Sequence, residues 1–194
     1  MRNTKEQILQ TALRLFAKDG YEAVSVNAIA SELNITKAAL YKHYKNKRDI
    51  FDHILARMEQ RDAEQARTHN VPAETPTESG ESRRTASPKA IISFSKAMFR
   101  YWTEDEFASS FRKMLTLEQF RDPEMNKLYQ QYLGSGPLSY VRDLFAALHL
   151  PRPQKKAVEF YAPMFLFYSL YDGTENKTAV LSELDVYLEN ALKS

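Results

Sequence analysis

The chain has 194 residues, 43% of them hydrophobic and 27% charged, which is ordinary for a globular protein with room to bury a core. It contains no cysteine, which excludes disulfides, thiolate metal sites and cysteine nucleophiles and suits a reducing, cytoplasmic setting. The net charge is only +2, but residues 1–60 carry ten Lys/Arg against seven Asp/Glu, whereas the remainder carries seventeen against eighteen.

Helix signals then follow one another along the chain, with almost no strand-like alternation. Helix 1 opens at Thr4 and carries Ile8, Ala12, Leu13 and Phe16 on one face, with Gly20 as a left-handed C-terminal cap. Ser25 caps a short second helix with Ile29, Ala30 and Leu33 inward. Asn34 and Ile35 make a tight turn, since Asn tolerates the left-handed conformation. Thr36 caps a third helix running to about Tyr44, and Asn46 with Asp49 opens a longer fourth one bearing Ile50, Phe51, Ile54 and Leu55. Asn70–Pro88 has three prolines, six Ser/Thr and no aromatic residue, the composition of a flexible linker at 70–88. Helices resume at Ser87-Pro88, at a capping box Thr103–Glu106, and at Asp122-Pro123, with a break near Gly134–Pro137. Pro151 and Pro153 start a further helix to Asp172-Gly173, interrupted at Pro163, and an amphipathic helix closes the chain. The longest apolar run, near residues 162–171, is too short to cross a bilayer, so no membrane attachment is expected.

Two short helices joined by a tight turn and backed by an apolar first helix match a helix-turn-helix at about 25–44. With Ile29, Ala30, Leu33, Ile35 and Leu40 inside, Thr36, Lys37, Ala38, Tyr41, Lys42 and His43 face outward. Thr36 to Arg48 holds five cations and no carboxylate, a run that suits an anionic partner or a solvated helix face. Base edges are usually read from the N-terminal end of the second helix. There Lys37 can donate to guanine, and the methyls of Thr36 and Ala38 can contact thymine. Tyr41, Lys42, His43 and Lys47 offer donors for phosphates.

Gly20-Tyr21, Val26, Ile29-Ala30, Ile35-Thr36-Lys37, Leu40-Tyr41, His43-Tyr44, Lys47 and Ile50-Phe51 together resemble the N-terminal domain of the TetR (tetracycline-repressor-like) family. The resemblance covers roughly residues 4–56. It implies that Tyr41, His43 and Lys47 contact phosphates, that Ser25 anchors helix 2 to the DNA backbone, and that Thr36, Lys37 and Ala38 face bases. Ala38 departs from the family, which often has glycine there.

The expected fold is all-α. A three-helix DNA-binding domain (1–60) precedes, across the linker, a larger helical ligand-binding and dimerisation domain (89–194). The apolar stretch Phe160–Tyr171 asks for cover on both sides. Phe165, Tyr168 and Tyr171, with Val180, Leu184, Leu188 and Ala191 of the last helix, are therefore expected at a homodimer interface. Family resemblance adds a pocket for an unidentified small apolar or aromatic effector. Its candidate lining is Phe94, Met98, Trp102, Phe111, Met114, Tyr129, Phe160, Met164 and Phe167. The four histidines have no partners at metal-ligand spacing, and no catalytic motif is present, so neither a metal, a cofactor nor an enzyme is expected. The expected function is a ligand-responsive, homodimeric repressor of a palindromic operator in duplex DNA. The alternatives are a helical interaction module whose basic patch meets a protein or membrane surface, and an enzyme without a recognisable motif.

Overall fold

The structure, a computed structural model, describes residues 4–68 and 87–192. Almost all of the expected linker at 70–88 lies outside the described residues. Within them the chain is helical, with no strand. Contacts group it into two compact units: Met1–Glu64 with Asp105–Gln130, and Gln65–Glu104 with Gln131–Ser194.

The first unit holds α1 (Thr4–Asp19), α2 (Val26–Glu32), α3 (Lys37–Tyr41), α4 (Lys47–Thr68) as far as Glu64, α6 (Glu106–Glu118) and α7 (Pro123–Tyr132) as far as Gln130. This division differs from the expected one, because residues 105–130 pack with the N-terminal helices and not with a domain starting at 89. The reason lies in α6. Its Phe107, Ala108, Phe111, Met114 and Leu115 form a wide apolar face, all buried, and α6 packs against α1. α1 buries Ile8, Leu9, Ala12, Leu13 and Phe16, so it has apolar surface for α6 as well as for α2.

The α6 N-terminus is also set differently from expectation. Thr103 is not its cap. The Thr103 hydroxyl donates to the Phe99 carbonyl at 2.7 Å, ending α5 (Pro88–Glu104), and Asp105 accepts the Ala108 N–H at 2.9 Å instead. A carboxylate meets the partial positive charge of a helix N-terminus better than a hydroxyl does. Asp105 is held in place by Arg61 of α4, 2.6 Å away, while Arg61 and Arg57 both lie over the Phe107 ring.

The second unit contains α5, α8 (Ser135–Ala147), α9 (Pro153–Tyr161), α10 (Pro163–Gly173) and α11 (Lys177–Ala191). Pro163 divides the apolar segment into α9 and α10 at Ala162, because proline lacks the N–H that a continuous helix would use. The core joins Ile91 and Phe99 of α5 to Leu144, Phe145, Phe160, Phe167 and Leu184 from the other helices.

This core takes in most of the residues expected at the dimer interface. Val180, Leu184 and Leu188 are buried within the protomer, as is Tyr171. Tyr168 stacks on Phe99 with ring centres 4.8 Å apart, and Ala191 is half-buried. α11 turns these residues inward against α5 and α10, both of which it contacts. Of the seven residues, Phe165 alone is exposed. The exposed apolar residues near it in sequence are Leu166 (59%) and Leu170, with Val158 on α9 and Val186 (61%) on α11.

Candidate nucleic-acid interface

The helix-turn-helix is built from local hydrogen bonds that the residue types supply. Ser25 has extended backbone, and its Oγ accepts the Ala28 N–H at 3.1 Å, opening α2. At the other end of α2, Asn34 takes a left-handed conformation (φ 53°). Its N–H donates to the Ser31 carbonyl and that of Ile35 to the Ala30 carbonyl, both at 3.0 Å. This paired closure satisfies carbonyls the helix would otherwise leave open, with asparagine where glycine is usual. Thr36 then repeats the capping of Ser25, its Oγ1 accepting the Ala39 N–H at 3.1 Å. Each cap contributes about 1 kcal/mol, and together they set the turn between the helices.

Packing fixes which side of α3 is free. Ile29, Ala30 and Leu40 are buried, Leu33 and Ile35 are half-buried, and Tyr44 after α3 is 1% exposed. The Tyr44 hydroxyl donates to the Lys5 carbonyl at 3.0 Å, and burial pushes its pKa up to about 12. With Leu40 and Tyr44 inward, Thr36, Lys37, Ala38, Tyr41, Lys42 and His43 are all exposed on one short stretch. The Lys37 ammonium lies 5.7 Å from the centre of the Tyr41 ring.

The basic run splits once its partners are considered. Lys47 is half-buried, with its ammonium turned toward the protein. It donates to the Tyr21 carbonyl at 2.8 Å and the Glu22 carbonyl at 3.3 Å, and sits 4.3 Å above the Tyr21 ring. The expected phosphate donor therefore already has two acceptors, since a residue opening α4 lies beside the α1–α2 turn. Arg48 is also engaged. Its guanidinium makes a two-pronged pair with Glu124 at 2.6 Å per bond, and its Nε meets Asp52 at 2.7 Å. The Arg48 hydrogen bonds hold the Glu124 carboxyl below its ordinary value. Lys37, Lys42 and Lys45 remain as exposed cations of the run.

Sequence reasoning missed Glu118 of α6. It is 1% exposed, and its Oε1 accepts the Tyr21 N–H at 3.0 Å. The two residues lie 97 positions apart, and no local pattern announces such a pairing.

Of the expected effector-pocket residues, Phe111, Met114 and Tyr129 belong to the first unit, where the first two are fully buried. Phe94, Met98, Trp102, Phe160, Met164 and Phe167 belong to the second. A shallow cavity of about 690 Å³ in the second unit is lined by other residues, among them Arg142, Arg152, Lys155 and Val158. No group of His, Asp and Glu among the described residues could hold a metal ion, and no helix there is long and apolar enough to cross a membrane.

Residues 8–54, which span α1, the helix-turn-helix and the start of α4, match the family described as bacterial regulatory proteins, tetR family. The N-terminal domain is a TetR-family domain. The chain is 49% identical to the HTH-type transcriptional regulator YerO of Bacillus subtilis across 47 residues, 24% of this chain and 16% of that protein. It is 40% identical to IcaR of Staphylococcus epidermidis, the biofilm operon icaADBC HTH-type negative transcriptional regulator, across 47 residues, 24% of this chain and 25% of IcaR. The matches thus span about a sixth to a quarter of these relatives' length. The fold likeness is wider. A TetR-family transcriptional regulator from Bordetella parapertussis superposes with a TM-score of 0.67 at 18% identity, covering 100% of this chain and 96% of that one. The fold likeness therefore covers the whole chain, while the family match lies in its N-terminal part.

Proposed function

We propose that the protein is a homodimeric transcriptional regulator, and not an enzyme, that binds a palindromic operator in duplex DNA within the cytoplasm. The observation that carries this reading is the exposed stretch Thr36–His43. It is held rigidly by two side-chain caps and a left-handed asparagine turn, inside a segment that matches a family of regulatory proteins. Lys37, with Thr36 and Ala38, reads base edges, and the exposure of all three supports this. Tyr41, Lys42 and His43 donate to phosphates, and the Ser25 hydroxyl keeps its proton for a phosphate while its oxygen caps α2. Lys47 supports the reading through position, with at most one N–H left for DNA.

The dimer places two copies of α3 about one DNA turn apart, roughly 34–36 Å. Its surface draws on exposed apolar residues of α9, α10 and α11, namely Val158, Phe165, Leu166, Leu170 and Val186, which water would otherwise cover. Repression is the outcome favoured by the likeness to a negative regulator. A small apolar effector acting on the aromatic-rich second unit would release DNA if it prefers the DNA-incompetent state; equal affinity for both states would shift nothing.

The test is selection of genomic fragments by the purified protein, followed by affinity measured across salt concentrations. The expected result is enrichment of an inverted repeat, with affinity falling steeply as salt rises through counterion release. Salt-insensitive binding, or no enrichment, would refute it.

A further inference from the structure

We infer that Glu118, which lies on α6 far from the helix-turn-helix in sequence, is a positioning residue for DNA recognition. The inference rests on the DNA-binding reading above. Its carboxylate is buried at 1% exposure, and the partners placed around it are the Tyr21 N–H at 3.0 Å and Arg121 Nη1 at 3.5 Å. Burying a carboxylate is costly unless it is paired and hydrogen-bonded. An apolar side chain would fill the same space at lower cost, but it could not accept from the Tyr21 amide, which lies just beyond the end of α1.

The site is shaped to admit this oxygen. A Cβ on Gly20 would lie 2.5 Å from Glu118 Oε1, closer than side-chain contacts allow, and Gly20 also has φ +88°, a conformation suited to glycine. The backbone at position 20 favours glycine, and any side chain there would have to push the Glu118 carboxylate from its place.

Tyr21 is held from its other side as well. Its ring packs edge-on to Phe16 at 5.0 Å and against Phe51 at 5.3 Å, and its carbonyl accepts from Lys47. The backbone at Tyr21 is therefore gripped at its N–H by α6 and at its C=O by the first residue of α4. Four residues later Ser25 opens α2, so this grip fixes where α2, the turn and α3 start.

Three variants of the full chain test this: Glu118→Ala, Glu118→Gln and Glu118→Asp. Each is measured for affinity to an operator selected by the wild-type protein, for melting temperature, and for amide exchange at residues 21–24 without DNA. Gln keeps an acceptor for the Tyr21 N–H and loses the charge; Ala loses both; Asp keeps the charge but draws the oxygen back. The expected result is a tenfold or greater loss of operator affinity for Ala, a smaller loss for Asp, and Gln within threefold of wild type. Exchange at residues 21–24 should be faster in Ala than in Gln. Wild-type affinity and exchange in Ala would overturn the inference, as would equal losses in Ala and Gln. If Ala does not fold, the contrast between Asp and Gln decides, and a fully active Asp variant with unchanged exchange overturns it. Failure of the wild type itself to bind duplex DNA would sink the DNA-binding reading, and the exchange contrast would then test the grip on the turn alone.

Discussion

Lys37 and Lys47 carry the same charge in the same basic run, yet their surroundings are opposite. Lys37 is exposed on α3, whereas Lys47 points at two carbonyls of the α1–α2 turn. Lys37→Ala is expected to relax base preference at one operator position, cost about 1–3 kcal/mol in binding and leave the melting temperature alone. Competition binding against single-base operator variants measures it, and an unchanged preference would remove Lys37 from the base-reading set. Lys47→Met is expected to lower stability by about 1 kcal/mol, because hydrogen bonds from a charged group are lost at a partly exposed site, and to leave the salt slope unchanged. Lys42→Ala should lower that slope by about one. A slope lowered by Lys47→Met would restore the direct phosphate contact. The exposed set on α3 was legible in the sequence, since short-range spacing decides which residues of a helix face inward. The fate of Lys47 was not, because its acceptors are backbone carbonyls of a turn whose path depends on tertiary packing.

At the level of the helix, the clearest signals were those in which residue type and position coincide. Ser25, Asn34, Thr36 and Asn46 all sit at helix ends in the roles their side chains suggest. Thr103 shows where that logic fails: with Asp105 two residues on, the carboxylate takes the cap and the threonine closes the preceding helix. The two-pronged pair between Arg48 of α4 and Glu124 of α7 adds a pH signature at this scale. Glu124 titrates below its ordinary value of 4.5 in the folded protein, chiefly through its hydrogen bonds to Arg48. The pair's contribution is therefore complete above that value and is lost as pH falls through the lowered one. Both side chains are about half exposed, so the effect should be small, about 0.5 kcal/mol or less. Melting curves of wild type and Glu124→Gln should lie apart near neutrality and converge in acid; a constant gap would show that charge is not the cause.

For the whole molecule, the all-helical class was readable from the sequence, but the membership of α6 was not. Its apolar face at helical spacing shows that it is buried without showing against what, and its partner α1 lies about 100 residues earlier in the chain. The association surface illustrates the same limit, since α10 and α11 have apolar residues on more than one side. Leu166→Glu combined with Leu170→Glu should yield a folded monomer by sedimentation with normal helix content, because both side chains are exposed. Leu184→Glu, inside the core, should unfold the second unit. A double variant that stayed dimeric would move the interface elsewhere. The packing of α1 on α6 also bears on how the molecule is made. The first unit is discontinuous, so its core cannot close while only its N-terminal helices have left the ribosome. At roughly 5–20 residues per second, the intervening chain imposes a delay on the order of seconds. During it the apolar face of α1 awaits its partner, a window in which a chaperone can bind. A hybrid made by joining residues 1–68 to an unrelated domain would leave that face without α6, unless residues 105–130 were carried across with it.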